Sequence, residues 1–145
     1  MQGLPHEYKL SAVASDASTV TLKVENISDL EITAPANFGG PGNILSPEDL
    51  QTAAVASCFI LSFKAIARAS KLEWDSLNVD VSGTLDMVDR TMQFTQFTTR
   101  AHLTLPAGSS REKATRLLEK AEQSCLVTNS LKSEIHLEIE LAGGE

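Results

Sequence analysis

The chain has 145 residues, 42% of them hydrophobic and 21% charged, with a formal net charge of −7 and a pI near 4.9. That length suits one domain with a modest core. The acidic balance repels phosphate backbones and, with one Trp and one Tyr, argues against nucleic acid as a partner. No apolar run is expected to reach the roughly 20 residues of a membrane helix, and Met1-Gln2-Gly3-Leu4-Pro5-His6-Glu7 has neither the basic nor the apolar region of a signal peptide. A cytoplasmic protein is expected, and there a transient catalytic disulfide is more usual than a permanent structural one.

Residues 8–15 alternate weakly, Asp16-Ala17 makes a short turn and residues 18–24 alternate again, which reads as a hairpin. Residues 27–33 form a third strand. Residues 34–45 are a loop punctuated by Pro35, Gly39, Gly40, Pro41 and Gly42. Gly39-Gly40-Pro41-Gly42 also fits the G-x-x-G loop of RNA-binding KH modules, but it has no Lys or Arg nearby and reads better as a turn entering a helix.

A long helix follows. Ser46 is its N-cap, Pro47 suits the first helical position, and Glu48 and Asp49 complement the positive end of the dipole. Asp49, three residues after Ser46, makes a capping box with a shorter acid. Leu50, Ala53, Ala54, Ser57, Cys58, Leu61, Ala65 and Ala69 recur at helical spacing and are expected to form the buried face.

Residues 77–88 and 93–105 alternate as two strands joined by a turn at Asp89-Arg90-Thr91-Met92. Pro106-Ala107-Gly108 ends the pattern. Residues 110–123 form an amphipathic helix with Ala114, Leu117, Leu118 and Ala121 inside, residues 126–131 a short helix, and residues 133–141 a closing strand. The order βββ-α-ββ-α-(α)-β, with runs of antiparallel strands interrupted by helices, is an α+β fold in a single domain over residues 1–145.

The chemistry rests on two cysteines. Cys58 lies mid-helix, where it gets no direct help from the helix dipole, so a thiolate there needs a cation or hydrogen-bond donors from elsewhere. A small buried hydrophobe is the alternative reading. Cys125 lies between two helices, with Ser124 as a possible N-cap, which puts its sulfur near free backbone N–H groups that favour a thiolate. A half-buried connector is its alternative. Two cysteines make no closed zinc site, and His6, His102 and His136 show no ligand spacing to them, so no metal is expected. Glu48 precedes Cys58 by ten positions, about 15 Å along one helix. It is either a dipole-stabilising acid or a functional one. The second role needs two copies of the helix crossing antiparallel near Ala53 and Ala54, hence a homodimer.

The run Gly42-Asn43-Ile44-Leu45-Ser46-Pro47-Glu48-Asp49-Leu50, continued by Ala54-Val55-Ala56-Ser57-Cys58-Phe59, resembles the first cysteine motif of the OsmC/Ohr family (osmotically inducible protein C and organic hydroperoxide resistance proteins). That motif usually reads Asn-Pro-Glu-x-Leu and then Ala-x-Cys-Phe. Cys125-Leu126-Val127-Thr128-Asn129-Ser130-Leu131 resembles the second, Cys-Pro-Val-Ser/Thr-x-x-Leu. The resemblance implies antiparallel sheets wrapped around a long central helix in an intertwined homodimer. It also implies a peroxiredoxin-like antioxidant activity against small organic hydroperoxides, with a dithiol reductant and no cofactor. By similarity Cys58 is the peroxidatic thiolate, Cys125 the resolving thiol that forms a redox-active disulfide with it, and Glu48 the acid that orients an active-site arginine.

Three features depart from that pattern. The N-terminal turn Ser15-Asp16-Ala17-Ser18 lacks the arginine of one family branch, and Ala34-Pro35-Ala36-Asn37-Phe38 lacks that of another. Arg68 is the first arginine in the chain, and Arg90 and Arg100 lie on the strands. Leu126 stands where the family has proline. Without the cation, Cys58 is expected to lose the main source of a lowered pKa. Two further readings stay open: an OsmC-fold protein that binds a small apolar or thiol ligand without efficient peroxidase action, and a structural partner protein with inert cysteines.

Overall fold

The computed structural model describes residues 1–145, which divide into two compact units, Met1–Leu50 and Gln51–Glu145. The first unit carries β1 (Ser11–Val13), β2 (Val20–Lys23) and β3 (Leu30–Ile32), an antiparallel sheet in that order. The strands are shorter than their alternation suggested, because the connections take up residues. Ser18 N–H closes a turn on the Ser15 carbonyl, and Ile27 N–H one on that of Val24. The Thr21 hydroxyl donates to Glu31 across the sheet, and Lys23 pairs with Asp29. Ile32 is the only buried apolar side chain of the sheet.

The loop after β3 is the expected one. A single 3₁₀ turn over Ala36–Phe38 ends on Gly39, whose φ is 84°. Gly40 must be glycine, since a Cβ there would sit 1.7 Å from the Ala34 carbonyl oxygen.

Helix α1 (Pro47–Ala69) begins with the expected box. Ser46 N–H and hydroxyl both donate to Asp49 Oδ2 at 2.9 Å, and Asp49 N–H donates to Ser46 Oγ at 3.1 Å. Two donors otherwise orphaned at the helix start are thereby satisfied reciprocally.

The second unit holds the main core. Strands β4 (Ser76–Val88) and β5 (Thr91–Leu105) form a long antiparallel hairpin. Its turn is the two-residue Asp89-Arg90, with φ 48° and 67°, a left-handed pair that matches strand twist. Gly83 faces Phe97 across the ladder, and the Phe97 ring fills the place a Cβ would take, at 2.6 Å. Helix α2 (Arg111–Gln123) is capped by the Ser110 hydroxyl and buries Ala114, Leu117, Leu118 and Ala121 as its periodicity predicts. Helix α3 (Leu126–Asn129) is a single turn, and β6 (Glu134–Gly143) closes the sheet. The sheet order is β4-β5-β6, but β6 runs parallel to β5 where antiparallel pairing was expected. Parallel neighbours need a long crossover, which α2 and α3 supply. The architecture remains α+β, with two sheets and one long helix.

The largest correction concerns the face of α1. Val55, Phe59, Phe63 and Ala67 are its buried residues; Ala53, Ser57, Leu61, Ala65 and Ala69, expected inside, are exposed. Both stripes recur every three or four residues, so periodicity cannot choose between them. Burying two phenylalanines removes far more apolar area than burying alanines. Phe59 and Phe63 join Ala101, Leu103, Leu105, Leu117 and Leu118 in one core, with Phe63 edge-on to Trp74 at 5.4 Å.

The expectation that no run could span a membrane is also corrected. By length and composition α1 qualifies: an 18-residue window has mean hydropathy 1.6, and 22% of it is buried. Between Asp49 and Arg68 the only charge is Lys64. A core helix passes the same test, and here one stripe of the helix lies in the core.

Because Ser46 is buried and its hydroxyl and N–H both serve the box, Ser46→Ala should destabilise the protein by about 1 kcal/mol. Urea unfolding of the two proteins, compared at equal m-value, measures this.

Candidate active site

Cys58 sits mid-α1, next in sequence to the buried Phe59 and half-buried itself. It opens on a shallow, solvent-open cavity of about 440 Å³. The helix contributes Ala54, Ser57, Leu61, Ser62 and Ala65 to the walls beside Cys58, and the start of α3 contributes Leu126 and Val127. No lining side chain carries a charge.

The opposite wall is built by a tight corner. Ser124 ends α2, its hydroxyl donating back to the Lys120 carbonyl at 2.8 Å, so it is a C-cap and not the N-cap expected of it. Cys125 occupies the N-cap position of α3 in extended conformation and is 1% exposed. Its carbonyl accepts from the Asn129 N–H at 3.0 Å and from the Thr128 hydroxyl at 3.2 Å, while the Asn129 side-chain amide donates to the Gln123 carbonyl. Leu126 and Val127 are then the first residues of α3, and their N–H groups have no partner within the helix.

Those N–H groups act on Cys58. Burial pushes its thiol up, but the Val127 N–H, the Cys125 thiol, the Ser62 hydroxyl and the Leu126 N–H together outweigh burial, and the Cys58 pKa falls below the ordinary cysteine value. For Cys125 burial dominates. The Thr128 hydroxyl and N–H work against it, the neighbouring Cys58 sulfur adds to it, and the pKa is raised. The sequence pointed to the start of α3 as help for Cys125; in the fold it helps Cys58 more. Lack of a nearby cation was expected to cost Cys58 the main source of a lowered pKa; hydrogen-bond donors, the other source the sequence left open, supply the shift.

The other predicted residues are not among those lining the cavity. Glu48 is half-buried in the first unit and is not among the residues lining the cavity. Arg100 Nε pairs with Glu138 at 2.8 Å on the exposed face of the sheet, Arg90 is in the hairpin turn, Arg111 donates to the Gly143 and Leu141 carbonyls, and Arg68 is exposed in the last turn of α1. None of these arginines lines the cavity. Sequence reasoning missed Ser62. The only available signal was its place four residues after Cys58, one turn along the same face.

Residues 40–140 match the model of the OsmC-like protein family. The chain belongs to this family. Among curated relatives, the YmaD protein of Bacillus subtilis (strain 168) is 26% identical over 120 residues, which cover 79% of this chain and 80% of that protein. Among solved structures, an OsmC-like protein from Mycoplasma pneumoniae superposes with a TM-score of 0.81 at 15% identity, covering 96% of this chain and 99% of that one. An organic hydroperoxide resistance protein OsmC from Legionella pneumophila gives 0.74 at 21% identity, covering 95% and 99%. At these identities the structural likeness speaks for the fold.

The opposite shifts of the two thiols predict an order of reaction. As pH rises, the Cys58 thiolate appears first, below the ordinary cysteine value, and the Cys125 thiolate above it. Alkylation of reduced protein by iodoacetamide, followed on the two cysteine peptides by mass spectrometry, should show Cys58 modified faster than Cys125 at neutral pH.

Proposed function

We propose that this OsmC-like protein is a thiol peroxidase that reduces small organic hydroperoxides, acting through Cys58 and Cys125 in an antioxidant response to oxidative stress. One observation carries the reading. Two cysteines far apart in sequence are brought to one apolar cavity: Cys58 lines it together with Leu126 and Val127, the residues that directly follow Cys125, and the two thiols are shifted in opposite directions. A thiolate nucleophile next to a protonated thiol is the arrangement that a sulfenic acid followed by a disulfide requires.

The Cys58 thiolate attacks the terminal oxygen of R–O–OH. The O–O bond breaks, the alkoxide leaves and takes a proton as the alcohol, and Cys58 becomes a sulfenic acid. The Cys125 sulfur, giving up its proton, attacks the Cys58 sulfur. The S–O bond breaks, water departs and a Cys58–Cys125 disulfide forms. A dithiol reductant then opens the disulfide and is itself oxidised. The cavity wall of Ala54, Leu61, Ala65, Leu126 and Val127 suits an apolar R group.

The working form we propose is a homodimer. Leu61 and Leu126, at the rim of the cavity, are 64% and 71% exposed. Only 22% of the apolar α1 window is buried, and Ala53, Ser57, Leu61, Ala65 and Ala69 of the helix are exposed. In the first unit Leu10, Val13, Ile27, Leu30, Phe38, Ile44 and Leu45 are all exposed. Apolar surface on this scale marks an interface, and a second copy of the chain would cover it. In such a dimer the partner subunit's Glu48 is the acid that approaches Cys58.

The uncharged cavity favours one second reading: a protein of this fold that binds a small apolar or thiol ligand at the interface with little peroxidase action.

Turnover of cumene hydroperoxide with a dithiol separates the two. Wild type should turn over, Cys58→Ser should fall to the rate without protein, and Cys125→Ser should stop after one equivalent of peroxide per subunit. A wild type no faster than Cys58→Ser would leave the ligand-binding reading. Sedimentation equilibrium at micromolar concentration should give twice the 15.6 kDa chain mass; a monomer would remove the proposed role of Glu48.

A further inference from the structure

A Cys58–Cys125 disulfide has two sulfurs that a reductant could attack, and the fold treats them differently. Cys58 is half-buried and lines the solvent-open cavity. Cys125 is 1% exposed and is not among the residues lining that cavity. Its backbone is held on both sides. Its N–H donates to the Glu122 carbonyl at 3.2 Å, and its carbonyl accepts from the Asn129 N–H at 3.0 Å and from the buried Thr128 hydroxyl at 3.2 Å. The Asn129 side-chain amide closes the corner on the Gln123 carbonyl at 3.1 Å. Uncovering the Cys125 sulfur therefore means opening the corner between α2 and α3. All of these bonds lie within one chain. A second copy can add cover to Cys125 and remove none, while the peroxide must still reach Cys58 in the same assembly.

We propose that the reductant attacks the Cys58 sulfur of the disulfide and that Cys125 is the sulfur expelled. This step takes its place in the cycle from the peroxidase reading above and its direction from burial. A reductant thiolate bonds to the Cys58 sulfur. The Cys58–Cys125 bond breaks, its electron pair goes to the Cys125 sulfur, and that sulfur takes up a proton. The second thiol of the dithiol, giving up its proton, then attacks the reductant sulfur bound to Cys58. That bond breaks, Cys58 departs as the thiolate, and the dithiol leaves as its own disulfide, having passed two electrons to the protein. Leaving-group acidity by itself favours the opposite choice, because Cys58 has the lowered pKa and Cys125 the raised one. Access overrides it: an attacking thiolate needs room at the sulfur it strikes, and Cys125 offers none. Once expelled, Cys125 is held as a protonated thiol, a poor nucleophile. Its return to Cys58 is slowed, which gives the second thiol of the reductant time to act.

The test uses the full-length protein oxidised with diamide, which makes the disulfide without peroxide. The oxidised protein is mixed at neutral pH with 2-mercaptoethanol, a monothiol that cannot close into its own ring disulfide. Samples are quenched in acid over a series of early times, their free thiols are alkylated, and peptide mass spectrometry locates the mercaptoethanol adduct. Because reaching Cys125 first breaks the bonds of the corner, early adduct should favour Cys58 over Cys125 by about ten-fold or more. Equal early labelling, or adduct first on Cys125, overturns the proposal, as does failure of diamide to join the two cysteines. A disulfide formed by diamide but never by cumene hydroperoxide would count against the peroxidase reading alone, with the adduct still falling on Cys58.

Discussion

Burial of Phe59 and Phe63 against the sheet and α2 is the constraint on which the site depends. Neighbouring residues on a helix point about 100° apart. Once Phe59 is in the core, Cys58 is turned to the rim of that core, toward the corner between α2 and α3. The corner is fixed by the same packing. Leu117, Leu118 and Ala121 anchor α2 to the core shared with Phe59 and Phe63, so α2 delivers Cys125 to the place that Phe59 leaves for Cys58. The meeting of the two sulfurs is thus a consequence of aromatic burial and not of any local motif.

At that meeting point hydrogen bonds oppose desolvation. Burial alone would raise both thiols. Cys58 escapes because donors converge on its sulfur, while Cys125, more deeply buried, has too few to compensate. The α3 turn is the hinge of this asymmetry. Its backbone N–H groups lack helical partners, as at any helix start, and its orientation directs those of Leu126 and Val127 across the gap toward α1. A family that ordinarily has proline at position 126 would have no N–H there; Leu126 restores one.

The first unit makes a different physical point. Its sheet buries only Ile32 among its apolar side chains, and Leu10, Val13 and Leu30 remain exposed. A three-stranded sheet needs an apolar face packed against something to be stable in water. That requirement is the physical basis of the homodimer proposed above.

Much was legible in the sequence because it was local. The Ser46–Asp49 box, the Asp89-Arg90 turn, the inner face of α2 and the two cysteine motifs each rest on interactions within a few residues, so residue type and spacing suffice to reveal them. Three matters were decided only by tertiary structure. The buried face of α1 was ambiguous because two stripes of the helix recur at the same spacing, and only the partners Ala101, Leu103 and Leu118 select the phenylalanines. The direction of β6 depended on a crossover whose path no local pattern records. Which sulfur receives the α3 amides depended on how two helices distant in sequence pack, because a hydrogen bond depends on where its donor lies in space and not on its place along the chain.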